Sequence, residues 1–150
     1  MVAKFRAYDT KNKVMITNFH RSHMKIETGK VLYQLTTTNE NEIKAIASYN
    51  TFDDFIYRYS HDLELMQSTG LKDKNGVEIF EGDVIGSQNK DRSNWYVSHH
   101  KIVWHDTGFV GKQICSSSFI GLEHWTRGEN GYVVIGNIYE NPELLEQANE

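Results

Sequence analysis

His99, His100 and His105 crowd into one short segment with Asp106, and His124 lies beyond it. Imidazole and carboxylate groups are metal ligands, so a metal centre is the first chemistry to weigh. The spacing argues against one. On an extended strand His99 and His105 face the same side but stand roughly 20 Å apart at ~3.3 Å per residue, while His99 and His100 face opposite sides. Ligands from other strands, such as His124 or Cys115, would have to complete a site. The chain has no CxxC, no HExxH and no second cysteine. Surface or interface histidines are the expectation, with no metal and no cofactor.

Nucleophilic and phosphate chemistry have equally thin support. Cys115 sits in QICSSSF, and the bases it would need, His124 with Asp106, are elsewhere in the chain. A Cys–His couple is an arrangement in space that spacing does not give, and a buried, inert thiol is the commoner outcome. DKNG resembles the start of an acidic calcium loop, but such a loop needs its glycine sixth. Counted from Asp73, Gly76 is fourth. GxxxxGK[ST] and GxGxxG are both missing. No catalytic residue is assigned.

Nucleic-acid binding has better raw material. Trp95, Tyr96, Trp104 and Trp125 could stack bases, with Arg92, Lys101 and Arg127 near them in sequence to meet phosphates. The charge works against this. The net charge of −4 divides into +5 over residues 1–30 and −9 over residues 31–150. Phosphate contacts dominate affinity, so an acidic barrel is a poor general binder. The basic beginning is read as strand edges carrying Lys and Arg against aggregation.

These residues must be positioned by strands. KFRAYDTKNKVMITNF alternates around a turn at Asp9–Asn12, a hairpin with Phe5, Ala7, Val14 and Ile16 on one side. HRSHMKIETGK is polar and reads as a loop, and Val31–Thr37 as a strand. Residues 39–49 carry mixed signals. Thr38 or Asn39 can cap a helix with Ile43, Ile46 and Ala47 on one face, while Phe55, Tyr57 and Tyr59 alternate like a strand. LMQSTGLKDKNGVEIFEGDVI reads as a strand, an Asn75-Gly76 type I′ turn, and a bend at Gly82 into another strand. Small SH3-like barrels use such an entrance. Strands dominate from Trp95 onward. NPELLEQANE closes the chain as a short helix, with Asn141 as cap and Pro142 in first position.

At 150 residues and 39% apolar composition the chain is long enough to bury a core. One cysteine fits a reducing, cytoplasmic setting, and no apolar run approaches a membrane span or signal core.

Three segments, KFRAYDTKNKVM at 4–15, LMQSTGLKDKNGVEIFEGDVI at 65–85 and VIGNIYENPELL at 134–145, resemble the YopX family of small phage and prophage proteins. The family commonly has Trp where Tyr8 stands here. The resemblance implies a phage origin, a mostly β fold and self-association. It implies no activity, and no catalytic residue carries over.

The expected fold is α+β and mainly β. A small N-terminal β-containing portion over 1–60 precedes an SH3-like β-barrel over 61–150 that ends in the C-terminal helix. Residues 95–105 are apolar on both strand faces, which calls for cover on both, by the fold or by a neighbouring copy. The expected function is a non-catalytic binding and assembly module acting as a homo-oligomer. Its partners are itself and a phage or host protein, and no membrane. The alternative is a nucleic-acid-binding accessory protein of phage replication or regulation.

Overall fold

The structure is a computed structural model that describes residues 4–19, 23–26, 29–51, 59–88, 95–122 and 131–146. The described residues are mainly β, 59% strand with one short helix, and include a sheet curled into a half-barrel. The chain divides into two compact units, Phe5–Met66 and Gln67–Glu150, the latter together with Met1–Lys4.

The first unit opens with the expected hairpin, β1 (Phe5–Asp9) and β2 (Val14–Ile16), paired Ala7↔Ile16 and Asp9↔Val14. Its turn is stapled from within, because Asp9 Oδ1 accepts the Lys11 and Asn12 backbone N–H groups at 2.9 and 3.1 Å. A four-stranded antiparallel sheet follows, in the order β3 (His23–Ile26), β4 (Gly29–Thr37), β5 (Ile43–Thr51) and β6 (Tyr59–Asp62). The loop expected over 20–30 thus contains a strand: His23–Ile26 pairs with Gly29–Leu32. The helical reading of 39–49 also gives way. Thr38 Oγ1 accepts the Glu40 and Glu42 backbone N–H groups in a turn, and β5 pairs with β4 along its whole length. Ala45, Ala47 and Tyr49 point into the core at period two, packed against Ala7, Ile16, Val31, Tyr33 and Leu63. The expectation for Phe55 and Tyr57 falls outside the described residues.

The chain leaves the first unit within β7 (Glu64–Lys72), which pairs with β8 (Glu78–Phe80). Their register slips between Ser68↔Phe80 and Lys72↔Glu78, where Gly70 takes φ 80°. The turn between them differs from the expected type I′. Of Asn75 and Gly76, only Gly76 has positive φ, 82°. Asp73 supplies the closure instead: its Oδ1 accepts the Asn75 and Val77 N–H groups, and its Oδ2 accepts that of Val134. Gly82 bends the chain at φ 88°, held by Asp83 Oδ2 accepting the Phe80 N–H at 2.8 Å.

The five-stranded sheet has β12 (Phe119–Gly121), β11 (Gly108–Gln113), β10 (His100–His105), β9 (Asp83–Gly86) and β13 (Val133–Asn137) in that spatial order. Ile79, Ile85, Ile102 and Leu122 form its core. Trp95–Ser98, expected to be strand, is a single 3-10 turn. The helix is α1 (Glu143–Glu146), with Leu144 buried. The helix starts one residue later than expected, at Glu143, and the Asn141 side chain does not cap it. The Asn141 carbonyl accepts the Leu144 N–H, while its side chain turns back to accept the Asn137 N–H. Among the described residues no helix is long and apolar enough to cross a membrane.

Candidate functional site

Of the residues singled out from sequence, Arg92, Trp125 and Arg127 lie outside the described residues, as does the side chain of Tyr96. Trp95 is half-buried. Its indole N–H donates to the Ser87 carbonyl at 2.6 Å, and its ring meets His99 edge to face at 4.3 Å. Trp104 is different, with 54% of its surface exposed. Lys101, on the same strand, projects from the other face, because successive strand residues alternate sides. Trp104 and Lys101 are therefore not brought together.

What is brought together is an aromatic tip on the β10–β11 hairpin. The two strands pair in unbroken register from His100↔Gln113 to His105↔Gly108, so they end together. Asp106 makes the turn at φ 54°, a left-handed conformation that short polar residues tolerate better than bulky ones. At this end the Trp104 ring meets Phe109 edge to face at 4.8 Å, and its N–H donates to the Asp106 carbonyl. On the opposite face His105 stacks on Phe119 at 4.5 Å, and Phe119 is 44% exposed. Sequence reasoning had Trp104 but missed Phe119. Phe119 joins the tip only because β12 pairs with β11, placing it opposite Lys112. Exposed rings of this kind offer apolar contact area to another surface. The nearest ionisable pair, His105 Nε2 and Asp106 Oδ2 at 3.5 Å, is exposed.

The densest polar cluster lies in the first unit and is structural. Asp9 is fully buried. Its Oδ2 accepts from the Tyr33 hydroxyl at 2.8 Å and Asn12 Nδ2 at 2.6 Å, and His61 Nε2 lies 3.1 Å from Oδ1. Burial pushes the carboxyl up, but the hydrogen bonds from Asn12, Tyr33 and His61 outweigh it and hold it below the usual carboxylate range. Burial, then the adjacent Asp9, pushes the Tyr33 phenol up. These groups meet at one carboxylate, and Asn12 Nδ2 also donates to the Tyr49 hydroxyl at 2.9 Å, which ties the β1–β2 turn to β4, β5 and β6. Above it Tyr49 stacks on Tyr59 at 5.0 Å, and Lys11 Nζ lies 4.8 Å from the Tyr49 ring centre. Tyr59 is 60% exposed. A turn-forming Asp9 was legible, but its long-range partners were not.

The described histidines do not converge. Among the described residues no three His, Cys, Asp or Glu side chains are placed to hold a metal ion. His99 and His100 are both buried, and burial pushes each below the ordinary imidazole range. His100 Nδ1 donates to the Ser98 carbonyl at 2.8 Å, whereas neither ring nitrogen of His99 has a hydrogen-bond partner. Cys115 is exposed rather than buried as expected. His124 lies outside the described residues.

Comparison with known proteins agrees with the three resembling segments. A family profile described as YopX protein matches residues 4–146. No curated protein matches the chain. Among solved structures the chain is similar to the crystal structure of protein EF1440 from Enterococcus faecalis. Identity is 34% and the TM-score 0.58, over 97% of this chain and 99% of that one.

Proposed function

The chain belongs to the YopX family, and from that premise we propose that it is a non-catalytic binding and assembly module that works as a homo-oligomer. The observation that carries this reading is the exposed Trp104 ring at the tip of the β10–β11 hairpin, held edge to face by the half-buried Phe109. The occupant proposed for it is a second copy of the chain. Closed dimers use the same patch twice, so the Trp104–Phe109 pair at the end of one hairpin can meet its own image across a two-fold axis. Buried Trp residues commonly dominate such contacts. The setting proposed is a phage or prophage protein in the host cytoplasm, with a phage or host protein as a further partner. The portion from residue 61 onward is taken as an SH3-like barrel that ends in α1. The three resembling segments and the half-barrel sheet support that setting and that fold.

Light scattering at micromolar concentration tests the reading. The wild type is expected as a dimer or larger, and Trp104→Ala is expected to need at least about tenfold more protein to associate, a loss of ~1.4 kcal/mol or more. A wild type that stays monomeric throughout that range overturns it.

A second reading, nucleic-acid binding, is favoured by one separate observation. Tyr59 is exposed and stacked on Tyr49 beside the Lys11 ammonium, which lies 6.0 Å from the Tyr59 ring centre. An aromatic face beside a cation suits a single strand. Labelled strands titrated at two salt concentrations decide it. Absence of binding at the lower salt, where the electrostatic contribution is greatest, removes it.

A further inference from the structure

Lys101 and Lys112 face each other directly across β10 and β11. Like charges in that position repel, and a sheet ordinarily avoids the pairing or supplies a carboxylate nearby. Here no ion pair or hydrogen bond engages either ammonium among the described residues. The absence is notable in a chain with an excess of acids over bases, 20 against 16. The two lysines line one hollow of about 240 Å³, completed by Gln113, Ile114 and Leu145. Lys101 is half-buried and Lys112 exposed, so the hollow is open to solvent on the Lys112 side.

Chemistry and size together point to an occupant. Two lysines that line one hollow, with no carboxylate among its lining residues, attract an anion. The hollow is smaller than the roughly 300–1,000 Å³ of pockets that enclose drug-sized ligands or cofactors. It is several times the ~30 Å³ share of one water. A phosphate-sized group fits that interval. The Ile114 and Leu145 side chains give the hollow an apolar flank, suited to a small carbon group attached to the anion. Gln113 does not neutralise the site: its Nε2 donates to the Val97 carbonyl and its Oε1 accepts from the Ser116 hydroxyl. We propose that Lys101 and Lys112 form a phosphate-class oxyanion subsite on the β10–β11 face, closed at one side by α1. It lies on the strand face opposite Trp104 and does not depend on self-association.

The test uses the full-length chain and inorganic phosphate at constant ionic strength, with chloride as the control salt. Backbone amide resonances of Gln113 and Ile114 are followed by NMR. A saturable shift with phosphate and none with chloride is expected. Lys101→Gln combined with Lys112→Gln is expected to weaken the response at least tenfold. Lys101→Arg combined with Lys112→Arg keeps both charges and is expected to retain it, so loss of binding is separable from loss of fold. In phosphate-free buffer the double Gln variant is expected to melt no lower than wild type, because repulsion is removed. Identical linear responses to phosphate and chloride overturn the proposal, as does undiminished binding in the double Gln variant. A single-stranded oligonucleotide added as competitor distinguishes the source. Displacement of phosphate assigns the site to a nucleic-acid backbone, and retention assigns it to free phosphate or a small ester.

Discussion

The Tyr33 hydroxyl donates to Asp9 Oδ2 at 2.8 Å inside the first unit, with both side chains essentially sealed from solvent. Asn12 Nδ2, the Lys11 and Asn12 N–H groups and His61 Nε2 engage the same carboxylate. Removing the carboxylate strands all of them at once. Asp9→Ala is therefore expected to cost about 3–5 kcal/mol, the range for breaking a buried charged network from one side. Tyr33→Phe removes one donor from an acceptor that keeps others, and about 1–2 kcal/mol is expected. Urea unfolding of the two variants checks the order; equal midpoints would mean the network is not what anchors the β1–β2 turn.

Acid weakens the protein in two steps of the same sign. His99 and His100 titrate below 6.5 when folded, so the unfolded chain takes up protons first as pH falls. Their contribution is complete above about pH 6.5 and declines as pH drops toward the folded values. Asp9 follows: its folded carboxyl is depressed, so its contribution is present above the unfolded value of about 3.9 and is lost below it. Urea midpoints from pH 8 to 3 are expected to fall first near 6.5 and again below 4. A flat profile between pH 7 and 5 counts against the neutral buried pair.

His99 carries a cost that a hydrocarbon would not. Both ring nitrogens are buried without a partner, and the ring packs edge to face on Trp95 and close beside Gly86. A neutral polar group without a hydrogen bond costs roughly 1–3 kcal/mol in protein interiors. Phe keeps the edge-to-face contact with Trp95 and drops the polar atoms. His99→Phe is expected to be neutral or stabilising by ~1 kcal/mol at pH 7, and to flatten the upper acid step. A loss of more than that in a denaturant titration would show that the imidazole has a role the fold alone does not explain.

Much of the fold was legible wherever local chemistry and tertiary need agree. Ala7 and Ile16 alternate correctly on either side of a polar turn, and the C-terminal helix forms as expected, starting at Glu143, one residue after Pro142. Failures came where pairing overrode local preference. Ile43, Ile46 and Ala47 have helical spacing, yet the unbroken nine-residue register with β4 makes Ala45, Ala47 and Tyr49 the buried set. The polar run at His23–Ile26 is a strand because Gly29–Leu32 offers it a partner. Asn75-Gly76 promised a type I′ turn, but the Asp73 carboxylate closes a wider one. Spacing could not show that Asp73 also reaches Val134, 61 residues on. For the candidate site, Trp104 was legible as an exposed ring. Its company was not, since Phe109 meets it only through cross-strand register.

Two glycines on the five-stranded sheet separate backbone freedom from space. A Cβ on Gly108 would meet nothing within 4 Å, and its backbone is not in the left-handed region. A Cβ on Gly136 would fall 2.5 Å from Asn141 Oδ1 and 2.8 Å from Leu144 Cδ1. Neither atom yields cheaply. Asn141 Oδ1 is accepting the Asn137 N–H, and Leu144 is the buried anchor of α1. Gly136→Ala is expected to cost about 1–3 kcal/mol as overpacking, whereas Gly108→Ala should be neutral or stabilising by ~0.5 kcal/mol through the unfolded chain. If α1 is displaced by the added methyl, Leu145 moves with it, and Gly136→Ala should also perturb the amide resonances of Gln113 and Ile114. Matching melting temperatures for the two variants, with those resonances unmoved, would show that the helix is not seated on this face of the sheet.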